Sequence, residues 1–193
     1  MLSPSQQFLK RSFDVIFSLI LLPILLLPIC ILVILATFET KQWGIFTQKR
    51  IGRYGQPFTI YKIRTLYNTN PEGVAKQQAG GVGRWMRRTK LDELPQLFNV
   101  LFGDMSWVGP RPDVPGYADR LVGAEAIILQ VRPGIIGPAS IKYRNEEHLL
   151  QAHPDPQHYN DQVIWRDKVA INQEYVTHWS FIQDLKYLFR LLF

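Results

Sequence analysis

The chain has 193 residues and a mass of 22.4 kDa, enough for one ordinary domain with an appendage and too little for two enzyme domains with full cores. Lys and Arg outnumber Asp and Glu by 22 to 16, leaving a formal charge of +6 and a pI near 9.5, so the surface favours phosphates, acidic lipids or nucleic acid. A hydrophobic share of 47% excludes intrinsic disorder, and the single Cys30 excludes an intrachain disulfide framework and a cysteine zinc site.

Residues 15–38 form an uncharged apolar run between Asp14 and Glu39. At 1.5 Å per residue such a helix is about 36 Å long, enough for a hydrocarbon core of about 30 Å. The run exceeds the apolar core of a cleavable signal peptide and no small-x-small cleavage site follows it. Pro23 and Pro28 each delete a helical hydrogen bond within it, and basic residues flank both sides: Lys10 and Arg11 before, Lys41, Lys49, Arg50 and Arg53 after. Two topologies stay open: a helix that spans the bilayer, and a re-entrant helix broken near Pro28 that returns both ends to the cytoplasmic face.

The composition changes near residue 40, which divides the chain into a membrane-associated N-terminal helix (1–40) and a polar, basic domain (41–193), expected on the cytoplasmic side. Residues 44–51 and 57–66, rich in β-branched and aromatic side chains around the turn RYGQ, predict a β-hairpin. Residues 67–83 read as loop, and helices are expected over 84–89 and from Pro95 to 101, with Gly103 as a stop. At the C-terminal end, Phe181, Leu185, Leu188, Phe189 and Leu192 share one face of an amphipathic helix, for which capping the core is favoured over lying in the membrane interface. The fold class expected is α+β: an N-terminal re-entrant or spanning membrane helix, then a compact, mostly helical catalytic domain with a small β-hairpin.

Residues 84–112 carry the chemistry. Asp92 and Glu93 precede a helix start, where free N–H groups and the dipole favour negative charge; capping alone explains many such pairs. Adjacent positions on a helix point about 100° apart, so the two carboxylates suit distinct roles rather than equivalent ligation of one metal. Arg84, Arg87, Arg88 and Lys90 lie beside them, the hairpin adds Lys62 and Arg64, and Arg111 sits on stiff backbone between Pro110 and Pro112. With the membrane segment, this set points to a phosphate-bearing lipid or lipid precursor as substrate. The 4 histidines have no ligand spacing and read as solvated surface, and Phe102, Met105 and Trp107 as core or membrane-interface packing.

The order of KRSFD (10–14), FTQKRIGRYGQPFTIYKIRTL (46–66), TKLDELPQLFNVLFGDMSWVGPRP (89–112) and RPGIIGPASIKYRNE (132–146) resembles the bacterial sugar transferases of the monotopic polyprenol-phosphate phosphoglycosyl transferase kind, in minimal form. The resemblance implies transfer of a sugar 1-phosphate from a nucleotide diphosphate sugar, a UDP-sugar, to undecaprenyl phosphate or another polyprenol phosphate, the first membrane step of glycoconjugate synthesis. It implies Asp92 as nucleophile and Mg²⁺ ligand, forming a phosphosugar-aspartyl intermediate. Glu93 would act as base or orienter in the lipid step, with Arg87 and Arg111 near substrate phosphates, at the cytoplasmic face of the bacterial inner membrane. Leu27-Pro28 replaces the family's common Ser-Pro, the loop AKQQAGGVG lacks an acidic residue often found there, and GPASIKYRNEE departs from the commoner form. A noncatalytic module that binds anionic lipid or recruits envelope enzymes is the rival, against which the intact dyad argues; no nucleic-acid module is recognisable.

Overall fold

The computed structural model describes residues 2–68 and 77–192, so residues 69–76 of the loop expected over 67–83 lie outside the described residues. The protein is mostly helical with small two-stranded sheets, and its chain divides into two compact units. One comprises residues 15–49 and 59–102, the other residues 1–14, 50–58 and 103–193.

Helix α1 (Pro4–Thr40) stays helical through Pro23 and Pro28, so a re-entrant course would turn on a bend at the prolines rather than on the broken helix that the re-entrant reading expected near Pro28. A proline removes one bond and permits bending without ending a helix. Its apolar run is mostly exposed, with Ile20 58%, Ile24 62%, Leu27 67% and Phe38 79% accessible; only 17% of the most apolar window is buried, which is compatible with membrane anchoring.

In the first unit the end of α1 is packed against protein: Leu32 and Ala36 form a core with Ile63 and Met86. Strands β1 (Ile45–Ile51) and β2 (Pro57–Ile63) make the predicted hairpin. Helix α2 (Gly81–Thr89) starts three residues before the expected Arg84, because its cap comes from elsewhere: the Glu39 carboxylate accepts the N–H groups of Val82 at 2.9 Å and Gly83 at 2.8 Å. Any side chain at Gly80 would collide with that carboxylate, its Cβ falling 2.3 Å from Glu39 Oε1. Beyond the loop, Tyr67–Asn68 (β3) pairs antiparallel with Gln77–Gln78 (β4), and α3 spans Gln96–Phe102.

In the second unit β5 (Ser106–Val108) and β6 (Gly134–Ile136) pair in parallel, Ser106 opposite Gly134 and Val108 opposite Ile136, a pairing the sequence did not reveal. Asp14, 2% exposed, accepts the Ser106 hydroxyl and the Trp107 N–H, both at 3.0 Å, and so ties the start of α1 to β5. Short helices α4 (Pro138–Lys142), α5 (Glu146–Gln151) and α6 (Pro156–Tyr159) lead to α7 (Trp165–Thr177) and α8 (Phe181–Leu192). In α8 the fully buried member is Asp184, which pairs with Lys10 at 2.5 Å and accepts Tyr175 Oη at 2.7 Å and Trp179 Nε1 at 3.0 Å. Seating this polar residue inward turns Ile182, Leu185 and Phe189 outward, 66%, 42% and 64% exposed, so the expected stripe is divided: Leu185 and Phe189 face outward, whereas Phe181 and Leu188 are partly buried, Phe181 with its ring against Phe13. Met105 and Trp107 are core, Phe102 is exposed, and the four histidines are at the surface.

Candidate active site

Helix α2 ends where Lys90 enters the left-handed region at φ 61°, a conformation that costs a non-glycine residue about 1 kcal/mol. The chain then makes one 3₁₀ turn, Leu91–Glu93, before Pro95 and α3. Both carboxylates of the dyad sit on this turn and each is 7% exposed, deeper than a solvated cap requires.

The two acids are provided for differently. Glu93 Oε1 meets Lys62 Nζ at 3.1 Å, and Lys62 is itself largely buried on β2. Asp92 Oδ1 is buried with no hydrogen-bond partner among the described residues. Loss of solvent and then the Glu93 charge raise the Asp92 pKa above the ordinary carboxyl value, against the opposing pull of Lys62, Lys90 and Arg87. A buried carboxylate oxygen without a partner, next to a second carboxylate, fits a hard divalent cation such as Mg²⁺, which prefers oxygen ligands. The described residues hold no cluster of three or more His, Cys, Asp or Glu able to cage a metal, so Asp92 would be the protein's contact and substrate oxygens or water would supply the rest.

Of the cations named from sequence, Lys62 reaches Glu93, and Arg87, exposed on α2, is close enough to act on Asp92 electrostatically. Arg64 is engaged elsewhere, donating to the Trp43 carbonyl at 2.9 Å with its guanidinium over the Phe46 ring. Arg111 belongs to the other unit, on the segment leaving β5, where it donates to the Ile135 carbonyl at 3.4 Å. Nearby, burial pushes Asp113 up to about 6, with Lys168 and Arg50 opposing.

Two site residues were missed. Asn99, fully buried, donates to the Thr59 carbonyl at 2.7 Å and accepts the Tyr61 N–H at 3.1 Å. It grips β2 on both sides of position 60 and fixes the strand that carries Lys62. Gln96, 1% exposed, keeps a buried Nε2 with no partner among the described residues. The signal was available as polar residues at 92, 96 and 99, a helical spacing, within the otherwise apolar LDELPQLFNV.

Residues 5–193 match the sequence profile of the family described as bacterial sugar transferase. The chain is 35% identical over 187 residues to the uncharacterized sugar transferase EpsL of Bacillus subtilis, covering 93% of this chain and 83% of that one. It is 35% identical over 192 residues to a UDP-glucose:undecaprenyl-phosphate glucose-1-phosphate transferase of Caulobacter vibrioides, covering 94% and 67%. With an undecaprenyl-phosphate galactose phosphotransferase of Salmonella typhimurium it shares 31% over 207 residues, 96% of this chain but 40% of the relative.

Proposed function

Because the chain belongs to the bacterial sugar transferases and is an enzyme of that family, we propose that it moves a sugar 1-phosphate from a UDP-sugar to undecaprenyl phosphate, with Asp92 as nucleophile. The observation that carries the assignment is the buried, unpartnered Asp92 Oδ1 beside a Glu93 already held by Lys62. In the first step an Asp92 carboxylate oxygen bonds to the phosphorus that bears the sugar, and the bond from that phosphorus to the nucleoside monophosphate oxygen breaks. In the second, an oxygen of the lipid phosphate bonds to the same phosphorus and the Asp92 carboxylate leaves, yielding the lipid diphosphate sugar. Glu93, held by Lys62, accepts any proton remaining on the lipid phosphate, and Arg87 offsets charge on the donor. Mg²⁺ held at Asp92, when bound, neutralises the diphosphate and its leaving oxygen.

The catalytic residues work at the cytoplasmic face of the inner membrane, with α1 re-entrant. Support comes from Pro23 and Pro28 inside the apolar run and from basic residues on both of its flanks, Lys10 and Arg11 before it and Lys41, Lys49, Arg50 and Arg53 after it.

The test is intact mass of the purified chain incubated with UDP-sugars and Mg²⁺ but no lipid phosphate. A sugar-phosphate adduct, with at most about one equivalent of UMP released and neither seen for Asp92→Asn, is expected. Transfer that occurs without an adduct, with initial rates requiring both substrates together, would overturn the nucleophile. Absence of transfer to undecaprenyl phosphate from every UDP-sugar would leave the noncatalytic lipid-binding reading.

A further inference from the structure

Outside the dyad, the unit containing residues 1–14, 50–58 and 103–193 gathers a second group of cations. A shallow pocket is lined by Gln7, Lys10, Asp14, Arg53, Gln130 and Arg132. Arg53, from the hairpin turn, is held by donating to the Gln130 carbonyl at 2.9 Å and to Gln7 Oε1 at 2.8 Å. Arg132 enters from the other side, its Nε donating to the Gly103 carbonyl at 2.7 Å. Arg11 reaches the same glycine: a Cβ there would lie 3.5 Å from its Nη2. Three guanidinium groups thus converge on one small region, each half-buried and at least two of them oriented by backbone carbonyls.

Of the neighbouring groups, Lys10 is paired with Asp184, and Asp14 is occupied by Ser106 and Trp107. Guanidinium groups gathered this closely match the anionic oxygens of a phosphodiester. Holding guanidinium groups together costs energy that an anion would offset. The cost is visible at Arg132, which burial, and then Arg11 and Arg53, hold below the usual guanidinium range.

The position along α1 selects the source of that anion. Lys10 and Arg11 lie about one helical turn before the apolar run begins at Val15, so a helix entering lipid there carries them at headgroup level. We propose that Arg11, Arg53 and Arg132 form a binding site for the phosphodiester of an anionic membrane phospholipid, separate from the substrate site, which seats the start of α1 at the bilayer surface. The site requires α1 to meet a membrane, as proposed above, but not the transferase chemistry, so it is read by binding rather than turnover.

The experiment uses the full chain in neutral-detergent micelles, with the thermal unfolding midpoint followed as phosphatidylglycerol, phosphatidylcholine or inorganic phosphate is added. Phosphatidylglycerol raises the midpoint saturably. Phosphatidylcholine does so less, and inorganic phosphate at the same phosphate concentration does not reproduce the rise. Arg132→Gln weakens the phosphatidylglycerol response about tenfold or more, the scale of one lost charge-assisted hydrogen bond. Arg53→Gln does the same and serves if Arg132→Gln does not fold. Arg120→Gln, which removes equal charge from an exposed turn elsewhere in this unit, leaves the response unchanged. An equal loss in Arg120→Gln would reduce the effect to net charge and overturn the site. A full shift with inorganic phosphate would make it a free-anion site, and absence of any shift would refute it.

Discussion

Asp92 is kept where an anion is costly, and that cost has a measurable sign. Its carboxyl ionises above the ordinary range because burial and Glu93 disfavour the charge. The native state therefore holds the proton more tightly than the unfolded chain does, and stability falls as pH rises through the elevated pKa. Asp92→Asn, inactive in transfer, is expected to unfold at a higher temperature than wild type at pH 7, with the difference vanishing once pH falls below the unfolded aspartate value of about 3.9. Equal midpoints at both pH values would show that the charge is already neutralised in the free protein. The same logic applies to Gln96, whose buried, unpartnered amide costs about 1–3 kcal/mol. Gln96→Met, close in shape and without the donor, should be more stable in denaturant titration while losing transferase rate; a destabilised variant would mean that the amide already has a partner. The dyad was legible because a carboxylate pair beside several cations announces itself in one dimension. Asn99 and Gln96 were not, because a buried amide's role depends on the strand or void it meets, and nothing in the sequence shows that the Trp43 carbonyl engages the Arg64 guanidinium.

At the scale of elements, strong periodicity and turn chemistry announced α1, the hairpin and α3, whereas partners distant in sequence decided the rest. The start of α2 depends on a carboxylate more than forty residues upstream, and the β5–β6 pairing joins segments too short to carry a pattern. Helix α8 shows how one polar residue redirects an amphipathic face: Asp184, tied to Lys10, Tyr175 and Trp179, turns Ile182, Leu185 and Phe189 outward. Such a stripe suits the interfacial region of a bilayer. Replacing all three by Ser should leave folding nearly unchanged, since they are exposed, while releasing more protein from membranes in high-salt or carbonate extraction than in wild type. A large loss of thermal stability instead would place the stripe against protein.

For the molecule as a whole, the decisive question is which side of the membrane each end of α1 occupies. Tags at residues 1 and 193 are expected to be equally protected from external reagent in intact cells and equally exposed in inverted vesicles. Opposite accessibility would establish a spanning helix. Replacing Pro23 and Pro28 together by Leu restores the missing hydrogen bonds and adds apolar surface, and should shift the population toward spanning, exposing the tag at residue 1 outside. Composition alone announced the long apolar helix, since 24 uncharged residues in a row exceed an ordinary core segment. It left the topology open because both flanks are basic.

The Glu39 cap has a consequence for reach. Glu39 directly follows the exposed Phe38, and its carboxylate grips the first turn of α2. The nine residues of that helix then run to Lys90 and the dyad. At 1.5 Å per residue this is a rigid spacer of about 14 Å between the end of the exposed apolar run and the two carboxylates. One short helix thus sets their separation, and inserting a single turn into it would lengthen the spacer by about 5 Å.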